Sequence, residues 1–554
     1  MTRDPLASIS TRATPQSQQA DPRQVANSAG GFTFTLDPLA QLRRFLVLGV
    51  AGGTYYVKPA ELALENAQVV LGLTMTPATH RQLVDTIVEV SEEGSAPRQQ
   101  PALFALAVAA SNGEAEGRRY ALDRLARVAR TGTHLFQFTV YVEQFRGHGR
   151  QLNRALGEWY LGRSVEDLAY QVVKYRRRLD WTHRDVLRKA RPKRPPGDVT
   201  RGELFDWVVG KTPVGLQLDI PLVTDSPLRL VEGFERAQRT TDPRVAAQLV
   251  REYRLSWEML PDAVINATQV WEALLETGVP QTALLRQLPR LTRLGMLTPL
   301  SPWTSVVVNQ LADVERLRRA RVHPLSVLVA LRTYASGRSD RGSSTWQPSR
   351  PIVDGLDAAF YAAFGAVQST GRRLLLALDV SQSMAGSRIV DTPLTARDAS
   401  AALALVTAST ESSYEVVGFT SGTGHRAISR RDAALTPLAI SSRQRLDDAL
   451  RTVSHLPFGG TDCALPMLYA LERNLEVDAF VIYTDNETWA GTIHPHEALR
   501  RYRDQTGIPA KLIVVGMTST GFTIADPTDA GSLDVVGFDT GTPQLISSFV
   551  RGEV

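Results

Sequence analysis

The stretch "LLLALDVSQSM", residues 374–384, decides how the chain divides. Its first five residues are apolar without interruption, Asp379 ends the run, and Ser381 and Ser383 follow at alternate positions. A short continuous apolar run reads as a strand buried on both faces, the kind found in parallel sheets. Its polar end has two readings. Asp and Ser are ordinary turn and helix-cap residues after a strand. Alternatively, three oxygen side chains directed to one point are the first half of a metal site.

Downstream the pattern repeats. "YEVVGFT" (414–420), "AFVIYTD" (479–485), "AKLIVVGM" (510–517) and "DVVGFD" (534–539) are further short apolar runs. Helical stretches separate them: "TARDASAALALVTAST" (395–410), "ALPMLYALERNL" (464–475) and "HEALRRYRDQ" (496–505). This alternation predicts an α/β, doubly wound, Rossmann-like domain over 366–554.

Upstream, from 31 to 365, the chain reads as helix after helix. Apolar residues recur at spacings of three and four in 61–73, 80–94, 118–130, 165–175, 243–255, 267–278 and 280–295. Short helices in series fit stacked pairs of HEAT-like type or an irregular helical domain. "YASGRSDRGSSTWQPSR" (334–350) reads as a loop, and the polar residues 1–30 as a disordered tail without a signal-peptide core.

The totals exclude several classes. The 554 residues exceed what one core holds. The apolar stretch "PALFALAVAA" (101–110) is about half the length of a membrane span and reads as a buried helix. A single cysteine, Cys463, rules out intrachain disulfides and cysteine-based zinc sites and fits a reducing cytoplasm. The net charge of +5 is unevenly spread: residues 370–554 carry 16 Lys and Arg against 21 Asp and Glu, leaving 46 against 36 upstream. A basic helical part beside an acidic sheet part points to a polyanion partner for the former.

Open parallel sheets bind ligands at the carboxyl ends of their strands. Three polar clusters fall there: Asp379 with Ser381 and Ser383, "GGTDC" (459–463) with Thr461, and "TDNE" (484–487) with Asp485. Hydroxyls and carboxylates without imidazole or thiolate select a hard divalent cation, Mg²⁺ foremost. Enzyme readings fail. A nucleophilic Asp of phosphatase type would want a second acid where Ser381 stands, no G-x-x-x-x-G-K-[ST] occurs, and a two-metal nuclease needs more carboxylates.

In "KYRRRLDWTHRDVLRKARPKR" (174–194), ten Lys and Arg stand against two Asp. Lys174, Arg176, Arg177 and Arg178 end one helix; His183, Arg184, Arg188 and Lys189 follow on the next. The run is either a solvated face or a phosphate-binding surface with strong salt dependence. Trp181 and Tyr175 either stack bases or anchor the core, and His183 either caps a helix or touches RNA. A second set, Arg124, Arg127 and Arg130 with His134, is a candidate lining for a hole or its rim.

The D-x-S-x-S, Gly-Gly-Thr and strand-Thr-Asp elements together resemble the metal-ion-dependent adhesion site of von Willebrand factor A domains. The resemblance implies that Ser381, Ser383 and Thr461 bind the ion directly and that Asp379 and Asp485 act largely through water. "GGTDCALPM", "YTDNETWAG" and "IPAKLIVVGMTSTGFTIADP" resemble the C-terminal domain of the Ro autoantigen family. "RRFLVLGVAGGTYYVK" (43–58), "TGTHLFQF" (131–138), "TALLRQL" (282–288), "ARVHPLSVLVALRTY" (320–334) and "GLDAAFYAAF" (355–364) resemble its N-terminal TROVE domain. The match runs from about residue 38 to the end. It implies a ring of HEAT-like repeats closed by an A domain, binding small Y RNA on an outer basic surface, where the W-x-H-x-D-x-L-R pattern lies. It also implies uptake of single-stranded ends of misfolded or precursor RNA into a central hole, and RNA quality control or processing with an exoribonuclease. The expected protein is monomeric, cytoplasmic, free of membrane and not an enzyme. The alternative is a metal-dependent protein-adhesion module with incidental RNA affinity.

Overall fold

The computed structural model describes residues 13–554 apart from 51–53, 55, 212–221, 223–225, 340–341, 366, 390–391, 422–433, 442–443, 455 and 457–458. Two short strands, β1 (Val25–Ala26) and β2 (Phe32–Thr35), pair antiparallel near the N-terminus. Residues 13–30 are therefore not the expected tail. Polar composition suggested solvent, but these polar groups have fixed partners. Gln16 Nε2 donates to Asp462 Oδ1 at 2.7 Å and to the Ile493 carbonyl at 2.9 Å, and Asn27 Nδ2 donates to the Thr488 carbonyl at 2.8 Å.

From Pro38 to Ala362 the described chain is helical but for one hairpin, β3 (Arg177–Arg178) with β4 (Trp181–Thr182). The sequence starts many of these helices in the same way, with a capping side chain followed by proline. Asp37, Thr76, Asp242, Ser301 and His323 each accept a first-turn N–H, and the next residue is proline, whose missing N–H costs nothing there. The helix expected over 118–130 is two, Ala115–Asp123 and Leu125–Val128. The break at Arg124 turns Leu125 and Val128 into the core.

The C-terminal part is a six-stranded sheet. Its strands are β5 (Leu374–Asp379), β6 (Tyr414–Phe419), β7 (Leu435–Pro437), β8 (Ala479–Thr484), β9 (Lys511–Gly516) and, after the short β10 (Phe522–Thr523), β11 (Ser532–Val536). The order is β11-β9-β8-β5-β6-β7, parallel except for β7. All six residues of β5 and of β8 are buried, as continuous apolar runs require. The chain leaves β5 toward β6 on one side and later returns as β8 on the other. The crevice beyond their carboxyl ends is the topological switch point, where such sheets bind ligands.

Both ends of the helical array meet the sheet domain. Near its start, β2 pairs with β10, and Arg43 Nε donates to Asp539 Oδ2 at 2.8 Å. Arg44 is fully buried and bonds Asp534 Oδ2 at 2.5 Å and the Phe522 carbonyl at 2.8 Å. Near its end, Arg332 bonds Asp398 at 2.5 Å and the Leu446 N–H donates to Asp357 at 3.1 Å. His323 Nε2 lies within hydrogen-bond distance of the Ser95 carbonyl (3.1 Å) and the Phe538 carbonyl (2.8 Å), joining early helices, late helices and sheet domain at one point. The array closes on itself as a ring completed by the sheet domain. A cavity of about 690 Å³ is bordered by Arg98, Gln99, His134, Arg286, Thr333 and Thr392 among others, residues of the early helices, the late helices and the sheet domain.

Candidate functional site

At the switch point, β5 delivers Asp379 and the turn after it delivers Ser381 and Ser383. β8 delivers Asp485, and the loop before helix Leu465–Glu472 delivers Thr461. All five side chains are buried, none more than 1% exposed. The Ser381 N–H donates to Asp379 Oδ1 at 2.9 Å, and Thr484 Oγ1 donates to Asp379 Oδ2 at 2.7 Å. These bonds fix the Asp379 carboxylate, and the Glu487 N–H donates to Asp485 Oδ1 at 3.1 Å. The Ser381 and Ser383 hydroxyl oxygens are 2.9 Å apart. That is the spacing of neighbouring ligands around an octahedral ion with metal–oxygen distances of about 2.1 Å.

The site is electrostatically incomplete. Burial and the like charge of Asp485 push Asp379 up to about 7. Burial also raises Asp485, and burial with the charge of Asp485 pushes Glu487 up to about 8. Thr461 Oγ1 and Asp485 Oδ2 are buried without a hydrogen-bond partner. Buried polar atoms are rarely left so. A divalent cation would neutralise the carboxylates and give both oxygens a partner, so the residues fit the ion. The described residues bring no three His, Cys, Asp or Glu together for a metal; the oxygens here come largely from hydroxyls. The sequence reading missed Tyr56, whose phenol burial and the charges of Asp485, Glu487 and Asp379 push up to about 12. It reaches the site from the helical part, and no motif in the sequence links it to the rim.

The basic stretch forms a surface on the hairpin and the helix His183–Ala190. Arg176, Arg177 and Arg184 border a groove of about 640 Å³ together with Trp207 and Lys211. Arg178, Arg184 and Arg188 are exposed and in no ion pair among the described residues. The others are partly committed. Lys174 bonds the Tyr170 hydroxyl at 2.8 Å and lies 3.6 Å from Glu258. Arg177 bonds Asp180 at 2.7 Å, Lys189 bonds Glu143 at 2.7 Å and also stacks over Trp181, and Arg176 stacks over Phe234.

His183 is neither cap nor free contact. Thr182 is the cap, in a reciprocal box with Asp185. The His183 ring is 3% exposed, shares a 2.7 Å hydrogen bond with Tyr160 and packs on Phe136 and Trp159. Burial holds it down at about 3, so it is neutral at pH 7. A Cβ on Gly132 would sit 2.5 Å from His183 Nε2, so this packing requires the glycine of "TGTHLFQF". His183→Ala is expected to lower the unfolding free energy by about 2–4 kcal/mol, through the cavity and the unpaired Tyr160 hydroxyl. Urea unfolding of the variant checks this.

The second basic set divides. Of its members only His134 borders the 690 Å³ cavity. Burial and Arg130 hold that histidine down at about 4, and its Nδ1 is buried without a partner. Arg127 is clamped by Glu92 through two bonds of 2.6 Å, Arg124 lies on the Tyr120 ring, and Arg130 bonds Gln99 at 3.1 Å. The spacing of the helix 118–130 did not survive the break at Arg124, so the residues scatter. The arginines at the cavity are Arg98 and Arg286, which sequence reasoning missed. Arg286 lies inside the quoted string "TALLRQL", but periodicity does not say which helix face looks inward.

A parallel sheet with a Ser, Thr and Asp rim at its switch point defines the von Willebrand factor A class, here carried on a helical ring. Family models agree in both parts: the Ro60 vWA domain matches residues 373–550, and the TROVE domain matches 25–208 and 251–333. The RNA-binding protein RO60 of Deinococcus radiodurans is 40% identical over 552 residues, 99% of each chain. RNA-binding protein RO60 of Caenorhabditis elegans is 34% identical over 610 residues, 98% of this chain and 92% of that one. The crystal structure of the Deinococcus radiodurans Ro protein is 39% identical, with a TM-score of 0.68, covering 94% of this chain and all of that one. The chain belongs to the Ro60 family, and its fold is the expected one, a helical array with a von Willebrand factor A domain. No helix among the described residues is long and apolar enough to cross a membrane.

Proposed function

We propose that this protein binds RNA and catalyses no reaction. It takes a small structured RNA of the Y type on the basic hairpin and helix, and single-stranded ends of misfolded or precursor RNA in the central cavity. The observation that carries this is the groove bordered by Arg176, Arg177, Arg184 and Lys211 with Trp207, four cations against the single acid Glu235. Both relatives of high coverage are named as RNA-binding proteins, which supports the same reading. Ser381, Ser383 and Thr461 would hold a Mg²⁺ ion directly, with Asp379 and Asp485 completing its charge balance. The ion supplies a fixed positive charge for a ligand oxygen. In this reading the A domain is the adaptor face, toward an exoribonuclease, while the helices hold RNA, and the protein works as a cytoplasmic monomer.

The test is filter binding, across a salt series, of an RNA with a helical stem and a single-stranded tail. Reversing Arg176, Arg177 and Arg178 to Glu is expected to weaken binding and to flatten the slope of log K against log salt by about 3. An unchanged slope would reject the surface. The adhesion reading, with RNA incidental, rests on the metal site alone. It is favoured if Asp379→Ala abolishes capture of a protein partner while wild-type RNA binding is independent of salt.

A further inference from the structure

A second arginine cluster lies outside the groove. Helices Gln100–Ser111 and Ala115–Asp123 on one side, and Gly132–Phe145 and Arg150–Leu161 on the other, enclose a cavity of about 220 Å³. Arg118, Arg146 and Arg150 line it, and no acidic residue does. Among the described residues none of the three is in an ion pair. Arg118 is held in place by a bond from Nη1 to the Gly113 carbonyl, and its Nε is buried with no partner. Three arginines thus border one hollow, Arg146 and Arg150 exposed and Arg118 half-buried, with no acidic side chain in its lining to balance them. An anion would balance this charge.

The backbone adds to it. The helix Arg150–Leu161 begins at Gly149 with no side-chain cap, and Gly149 through Leu152 border the same cavity. First-turn N–H groups have no acceptor within the helix, and together with the helix dipole they favour negative charge. The loop carrying Arg146 is tied to the basic surface. Glu143 Oε1 lies 2.5 Å from His148 Nε2 and 2.7 Å from Lys189 Nζ. The cavity therefore adjoins the helix His183–Ala190. Guanidinium forks match the tetrahedral oxygens of phosphate, which accept from several donors at once.

We propose that this cavity seats one phosphoryl group, either a phosphate diester of an RNA backbone or free inorganic phosphate. The seat itself does not depend on the RNA reading; only its RNA source does. The experiment uses the full chain. Inorganic phosphate is titrated and followed by its ³¹P line width, in the wild type, in Arg146→Gln/Arg150→Gln and in Arg150→Gln alone, the last an exposed position chosen to keep the fold. Arg119→Gln, on the same helix as Arg118 but paired near Asp123, is the control. Broadening in the wild type and control that is lost in the double variant and reduced in the single one supports the seat. No broadening in the wild type, or equal broadening in all four proteins, overturns it. A parallel salt series with the tailed RNA assigns the source. A slope smaller by about 1 in the double variant identifies the RNA backbone; an unchanged slope with lost phosphate binding identifies the free anion.

Discussion

Arg44→Met is expected to destabilise the folded chain by about 3–5 kcal/mol, the range for breaking a buried charge pair by removing one partner. Arg44 is fully buried between the first helix of the ring, Pro38–Leu48, and the sheet. Its guanidinium lies against Gly516, where a Cβ would come within 2.4 Å of Cζ. It donates to the Thr520 carbonyl at 3.2 Å, the Phe522 carbonyl at 2.8 Å and Asp534 at 2.5 Å. Methionine fills the space but satisfies none of these acceptors. Burial already raises Asp534 above the usual carboxylate range, against the pull of Arg44. Without the guanidinium the carboxyl is raised further, so the folded variant holds its proton more tightly than the unfolded chain does. That preference is lost as pH rises, and the penalty of the variant grows from acid to neutral pH. Urea unfolding at two pH values measures it, and Asp534→Asn in the same background completes a double-mutant cycle. A loss below about 1 kcal/mol would mean that the junction is held by the β2–β10 pairing and the surrounding apolar contacts instead.

Magnesium at about a hundred times its dissociation constant is expected to stabilise the wild type by about 2.7 kcal/mol, and to do so increasingly from acid to neutral pH. The sign follows from Asp379. Its pKa in the folded, metal-free chain is raised to about 7 from 3.8, so the folded state holds a proton that the unfolded state has released. The associated stability is fully present below about 3.8 and is lost as pH rises through about 7. Above that, the Asp379 carboxylate is charged while buried beside Asp485, a cost that bound magnesium offsets. In Asp379→Asn the metal-free loss over this pH window should shrink and the magnesium response should disappear. Thermal unfolding with and without chelator reads both effects, at roughly 2–4 °C per kcal/mol for a domain of this size. Equal magnesium shifts in wild type and variant would remove the ion from this site.

The sheet was legible in the sequence because burial on both faces leaves a plain trace. The apolar runs at 374–379, 414–420, 479–485 and 510–517 coincide with strands to within one residue at either end. The placement of the Ser and Asp rim was legible for a related reason: side chains just after strand ends are placed by the strands themselves. Asp379 and Asp485 come together because β5 and β8 are neighbours in register, Leu378 opposite Tyr483. The helical part left less. Its periodicity located helices such as Val165–Lys174 and Pro243–Tyr253 but not their rotation about the ring.

What the sequence by itself determined, then, is local: strand and helix identity, the D-x-S-x-S turn, the helix caps followed by proline and the basic stretch from Lys174 to Arg194. Each rests on chemistry within a few residues of itself. Tertiary structure alone decided which charges are available. It neutralised His183 by burying it against Tyr160 and Trp159, clamped Arg127 with Glu92, and brought Arg98 and Arg286 to the cavity from segments far apart in the chain. It also turned residues 13–30 from an expected tail into a segment bound to the A domain, through Gln16 and Asn27. The reason is the same each time. The exposure and partners of a charged or polar side chain depend on packing between distant segments, and no local pattern records that packing.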